Sequence, residues 1–164
     1  MAVPARVAGM NRLANKLRSF LRPTTGTSTP ATAPSTGPVV EYTPAADGQP
    51  DPGEVVWAWV AYEDDPSQGK DRPVLVIGRD GDTLLALQLS SQDHDLDAED
   101  EARYGRYWMD VGTGGWDAER RLSEVRLDRL LRMRQDEVRR EGASLDRAMF
   151  DAVVREARGH HDLP

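Results

Sequence analysis

The sequence predicts a mainly β domain: a small curled sheet or barrel of short antiparallel strands, closed by one C-terminal helix and preceded by a disordered tail. Three observations carry this expectation. Segments rich in β-branched and aromatic residues recur with turn residues between them, "EVVWAWVAY" at 54–62, "PVLVIGR" at 73–79 and "TLLALQL" at 83–89. An apolar stripe at helical spacing comes last, so strands are followed by a packing helix. Before residue 53, large apolar residues are too sparse to build a core.

From the N-terminus, residues 5–22 carry Arg6, Arg12, Lys16, Arg18 and Arg22 with no acid, and place Val7, Met10, Leu13, Leu17, Phe20 and Leu21 at helical spacing. This basic amphipathic segment, assigned to 1–22, suits weak contact with an anionic membrane or nucleic acid, or a partner's groove, and equally a marginal helix in a loose tail. Residues 23–52, rich in Pro, Thr, Ala and Gly, read as a disordered linker. The barrel domain is expected over 53–159.

Within it, Gly78, Asp80, Gly81 and Asp82 join the second and third strands as a hairpin. "GRYWMDV" (105–111) is a further strand, and "SEVRLDRLLRMR" (123–134) reads as a strand, a short helical turn and a return strand. Ser144 is the expected N-cap of a helix over 145–158, with Leu145, Met149, Ala152, Val153 and Ala157 on one stripe and Gly159 just past its end. Residues 160–164 read as a frayed terminus. Trp57 and Trp59 alternate with Val56 and Ala58 and share one strand face, where core packing explains them more simply than base stacking. In "GTGGWD", a turn pinned by a buried Trp116 is preferred to a base-binding lip.

Composition narrows function. The net charge is −7 and the pI about 5.0, against wholesale wrapping of nucleic acid, so any phosphate site must be local. There is no cysteine, which removes disulfide and zinc-ribbon frameworks and makes a reducing cytoplasm the simplest home, and three histidines leave little for a metal site. No stretch has the apolar length of a membrane span.

The residues of chemical interest sit in "GKDRPVLVI" and "LLALQLSSQ". Pro73 pushes Arg72 into an extended conformation and itself suits a strand's first position, so the guanidinium is launched from a sheet edge. Its planar fork matches a phosphodiester and can stabilise the charge that builds up as a phosphorane forms. Ser90 ends the adjacent strand and can bring a hydroxyl to the same phosphate. Read from these residues alone, an Arg72 ion pair with Asp71 or Glu63, and two serines in an ordinary loop, is the simpler account.

"PGEVVWAWVAYED", "GKDRPVLVI" and "LLALQLSSQ", in that order, resemble the MazF/PemK family of toxin endoribonucleases, and "LDRLLRMRQDEVRREGASLDRAMFDAVV" is similar to the family's closing segment. The resemblance runs from about Pro52 to Arg158. It implies an SH3-like barrel and cleavage of single-stranded RNA without metal or cofactor, by attack of the ribose 2′-hydroxyl on its own phosphate. The family's catalytic arginine falls on Arg72 and its catalytic Thr or Ser on Ser90. Ser91 and Gln92 complete a block similar to Thr-Thr-Gln, and Lys70, Ser91, Gln92 and His94 are the expected substrate contacts. The resemblance also implies a cognate antitoxin and a homodimer. A different class stays open, a noncatalytic barrel that binds protein or nucleic acid and is localised by its basic N-terminal segment.

The chain departs from the family pattern in three places: Glu54 stands for the usual Asp, Ser90 for the commoner Thr, and a long acidic loop follows Ser90. That loop reads as a solvated face, with gating of RNA as the functional alternative. His94 titrates near neutrality and would suit a general base, whereas Asp93 and Asp95 beside it favour a surface histidine.

Overall fold

The structure, a computed structural model, describes residues 37–164, and the basic segment and the linker up to residue 36 lie outside the described residues. Among these, β1 (Val39–Val40), β2 (Glu54–Ala61), β3 (Gly69–Asp80), β4 (Thr83–Ser90), β5 (Trp108–Gly112), β6 (Ser123–Arg134) and β7 (Val138–Ser144) form one antiparallel sheet. Its order is β5-β6-β4-β3-β2-β7, with β1 added to β3. Two helices complete the fold, α1 (Ala98–Arg103) and α2 (Arg147–Ala157). The architecture is thus mainly β with a C-terminal helix, as the strand-rich blocks and the final stripe predict.

Strict alternation along the central strands divides the apolar residues between two faces. Val55, Leu75, Ile77, Leu85, Leu87, Leu89 and Val125 pack with Phe150, Val153, Val154 and Ala157 of α2. Their neighbours Val56, Val74, Val76, Leu84 and Ala86 enter a second cluster with Met133, against which Leu131 and Val138 also pack. Both faces are buried because the sheet curls. The Trp57 indole donates to the Trp116 carbonyl at 2.9 Å, joining β2 to the loop between β5 and β6 at the far end of the strand order. Trp116 is itself buried and donates to Ser123 Oγ at 3.2 Å, so the "GTGGWD" turn is pinned by its ring.

Several boundaries differ from expectation. The linker does not run to 52, because β1 pairs with Gly78 and Arg79 at the end of β3 that β2 leaves open. Tyr42 then donates to the Leu145 carbonyl at 2.8 Å and meets Phe150 edge-on, and the Arg79 guanidinium donates to the Pro50 carbonyl at 2.8 Å. Two glycines permit this strap. A Cβ on Gly78 would stand 2.1 Å from the Val39 carbonyl oxygen, and Gly53, at φ +103°, lies where a Cβ would strike the Tyr42 ring. The composition of 37–52 is linker-like, and a few well-placed contacts overrode it.

Strand β6 is continuous over 123–134 with no helical turn inside it. Leu130 and Leu131 pair with Leu87 and Ala86 of β4, and the reversal comes later, in a 3₁₀ turn at Gln135–Glu137. Helix α2 begins at Arg147 rather than Leu145. Its N-cap is Asp146, whose carboxylate accepts from Ala148 and Met149 N–H, while Leu145 is buried and donates its N–H to Gly53. The C-terminus is not frayed. His161 Nε2 lies 2.8 Å from the Leu127 carbonyl, Leu163 packs on the core, and Arg158 donates to the Pro164 carbonyl. Trp59 also departs from the core reading: it is 47% exposed, with Arg139 above its ring, although it shares a face with Trp57.

Candidate active site

Arg72 lies on β3 opposite Ala58 of β2, and Ser90 closes β4 opposite Glu124 of β6. The hairpin that brings β3 and β4 together places Arg72, Ser90 and Gln92 on a ridge shared by two cavities. The first, about 480 Å³, extends toward Glu63, His94, Glu101, Trp108 and Arg126. The second, about 230 Å³, extends toward Lys70, Ser91, Trp57, Trp116 and Arg121. All six site residues read from the sequence therefore border one cavity or the other. Lys70 and Ser91 reach only the second and His94 only the first.

Charge in the first cavity is balanced by type. Glu63, Asp64, Asp97 and Glu101 face Arg72, Arg106, Arg126 and Arg129. Most of the arginines are committed. Arg126 donates to both Glu63 oxygens at 2.7 and 3.1 Å and to Asp128 at 2.7 Å. Arg129 donates to the Ala61 carbonyl and stands 4.0 Å from Glu63, and Arg106 pairs with Glu101 at 3.4 Å. The carboxylates available to Arg72 on sequence grounds are engaged elsewhere, Asp71 with Arg139 at 2.8 Å and Glu63 with Arg126. Among the described residues Arg72 forms no ion pair and no side-chain hydrogen bond, which overturns the ion-pair account of it.

That isolation has an electrostatic signature. Burial lowers the Arg72 pKa from its ordinary value, the nearby Arg129 charge adds to this, and Tyr62 opposes it. The group stays cationic, because arginine titrates far above neutrality. Arg126 is pushed the other way. Burial alone would lower it, but the hydrogen bonds that Arg126 donates to Asp128 and Glu63 outweigh burial and raise it. A half-buried guanidinium without a counter-ion is a site for an anion from outside.

Ser90 is buried to 9% exposure, and its Oγ accepts the Gln92 N–H at 3.1 Å. His94 Nε2 lies 3.4 Å from the same Oγ. The His94 ring is stacked on Trp108, with centroids 4.0 Å apart and planes 9° from parallel, and its backbone N–H donates to Glu124. Burial lowers the His94 pKa; Glu101 and Asp93 oppose this, and Arg106 supports it. The surface-histidine reading is therefore corrected, since the ring is half-buried and ordered by an indole. The acidic loop is also only partly a solvated face: Leu96 and Asp100 are exposed, whereas Asp97 and Glu101 line the cavity and Glu101 accepts the Trp108 Nε1–H at 3.1 Å.

Arg126, Glu63 and Trp108 were not singled out as site residues from the sequence. The period-2 pattern of "SEVRLDR" carries the signal, for Val125 and Leu127 point to the core while Glu124, Arg126 and Asp128 take the other face. Among the described residues no group of three His, Asp or Glu side chains could hold a metal ion, and no helix is long and apolar enough to cross a membrane.

A family model for the PemK-like, MazF-like toxins of type II toxin-antitoxin systems matches residues 51–159. No curated protein matches the chain. Among solved structures, the chain is similar to the Mycobacterium tuberculosis toxin MazF-mt6, at 16% identity over 68% of this chain and 98% of that one, with a TM-score of 0.45. It is also similar to chains of two crystal forms of MazE-MazF from Deinococcus radiodurans. One gives 18% identity, 69% and 92% coverage and a TM-score of 0.42, the other 14%, 70% and 98%, and 0.46. The match spans most of the described domain, from the turn before β2 to the residue after α2 and its cap, and on that ground the chain belongs to the PemK-like, MazF-like toxin family of type II toxin-antitoxin systems.

Proposed function

We propose that this toxin is an endoribonuclease that cleaves single-stranded RNA by attack of a ribose 2′-oxygen on the adjacent phosphorus, leaving a 2′,3′-cyclic phosphate and a 5′-hydroxyl. The observation that carries the reading is Arg72, a cationic, half-buried guanidinium with no carboxylate partner among the described residues, which lines the same two cavities as Ser90. Arg72 binds the non-bridging oxygens of the scissile phosphate and stabilises the charge they gain. Ser90 donates its hydroxyl hydrogen to the same oxygens, which can only accept, while its own oxygen accepts from Gln92 N–H. The two cavities beside the ridge receive the nucleotides on either side, with Lys70, Ser91 and Gln92 along the second. Local cation chemistry of this kind reconciles RNA binding with a net charge of −7.

An antitoxin protein covering the ridge would silence the enzyme, and a homodimer in the cytoplasm is the form we assign to the active toxin. Purified wild type and Arg72→Ala should be compared on a long mixed RNA in chelator, with both new ends identified chemically. Cleavage by wild type alone, with cyclic phosphate and 5′-hydroxyl ends, is the expected result. No cleavage by the folded wild-type chain would favour the noncatalytic binding module, and equal cleavage by both proteins would remove Arg72 from the site.

A further inference from the structure

His94 is held more tightly than a loop histidine requires. Its ring lies flat on Trp108, whose Nε1–H is fixed by Glu101 of α1, and Glu101 is fixed in turn by Arg106. The backbone N–H of His94 is anchored on Glu124 of β6, and the free edge of the ring points Nε2 at Ser90 Oγ, 3.4 Å away. Three elements thus converge to present one imidazole nitrogen beside the Ser90 hydroxyl, which lines both cavities with Arg72. A solvated loop has no need of this.

Resting on the reading that the site cleaves RNA, we propose that His94 is the proton acceptor for the attacking 2′-hydroxyl. The proton passes from O2′ to Nε2 as the O2′–P bond forms. The P–O5′ bond breaks, its electron pair leaves on O5′, and O5′ takes a proton from water in the open cavity. The imidazolium then returns its proton to water, so no oxidant, reductant or other reactant is consumed. Arg72 cannot take the acceptor's part because it does not lose its proton near neutrality.

The surroundings keep the ring in the form that can accept. Asp93 beside it, Asp97 of a second 3₁₀ turn at Asp95–Asp97 and Glu101 of α1 favour the imidazolium, while Arg106 disfavours it. Arg72 of β3 and Arg126 of β6 line the same cavity. Burial dominates, and the net direction is downward, so the neutral form prevails at neutral pH.

The test is the dependence of kcat and KM on pH, in chelator, for wild type, His94→Gln and His94→Gly. Wild-type kcat/KM should rise through an inflection below the ordinary histidine value of about 6.5. His94→Gln should lose the inflection and about 10²-fold or more in kcat, with KM little changed. Added imidazole should restore part of the His94→Gly rate in proportion to its concentration, a readout that a structural role would not give. Cleavage by His94→Gln with the wild-type inflection intact overturns this inference alone, as does a loss confined to KM, which would make the ring a base-stacking shelf. Should both variants misfold by circular dichroism, a wild-type profile with no inflection still overturns it. Absence of cleavage by the wild-type chain would overturn the ribonuclease reading as well.

Discussion

Two arginines face the same cavity and live in opposite circumstances. Arg126, on β6, has a side chain only 8% exposed and is held by two carboxylates, one of which, Asp128, is itself 13% exposed. Arg72, on β3, is half-buried and has no carboxylate partner among the described residues. Breaking a buried pair leaves a stranded charge, so Arg126 is part of what holds β6 and the loop after β2 together. An isolated, partly desolvated cation contributes nothing of that kind, which is what the proposed phosphate-binding role of Arg72 asks of it. On the proposed reading, pairing more than position separates structural charge from functional charge in this cavity.

The two arginines should respond differently to substitution. The largest effect is expected for Arg72→Met, which should lower cleavage by about 10³-fold, close to 4 kcal/mol of transition-state stabilisation. Arg126→Met should instead destabilise the fold by about 3 kcal/mol in urea denaturation, because Asp128 and Glu63 lose their shared counter-ion. A smaller loss, about 2 kcal/mol, is expected for Asp128→Asn, since Arg126 keeps Glu63 while the amide cannot reproduce the carboxylate's bonds to Arg126 and Tyr107 N–H. Ser90→Ala should cost about tenfold in kcat with little change in KM, and Ser90→Thr should retain most activity.

Acid sharpens the same contrast. The Arg126 hydrogen bond is the main cause of the lowered Glu63 pKa, whereas for Asp128 burial pulls upward and hydrogen bonds from Arg126 and Tyr107 outweigh it. Both carboxyls bind protons less readily folded than unfolded. Their contribution to stability is complete above the ordinary carboxylate range and is lost as pH falls through their lowered folded values. Thermal unfolding followed downward from neutral pH should show this loss, and Asp128→Asn should flatten it.

How far the sequence reaches differs between these sites for physical reasons. Arg72 is legible because the steric rule for a residue before proline acts locally, and a short hairpin carries it to Ser90. Strand β3, however, opens at Gly69 and pairs with β2 through Pro73, so Pro73 is not the strand's first residue and Arg72 is not at a sheet edge. Arg126 was obscured, since "RLDRLL" looks helical until its alternation is matched to the partner strand β4. His94 is flanked by acids that suggest solvent, and its stack on Trp108 joins residues on opposite sides of α1. The β1 strap is two residues long within a linker-like composition, and only its contacts with Gly78 and Tyr42 reveal it. Long, alternating strands were readable because burial on two faces imposes their pattern, whereas short elements held by a few distant contacts leave no period to read.

The most direct test of the distinction is Arg72→Met measured twice on one preparation, for RNA cleavage in chelator and for midpoint of thermal unfolding. The folded state lowers the Arg72 pKa, so it disfavours the charged form, and removing that charge should leave the midpoint unchanged or raise it while cleavage collapses. A fall in the midpoint with cleavage preserved would contradict the account and return Arg72 to a structural role.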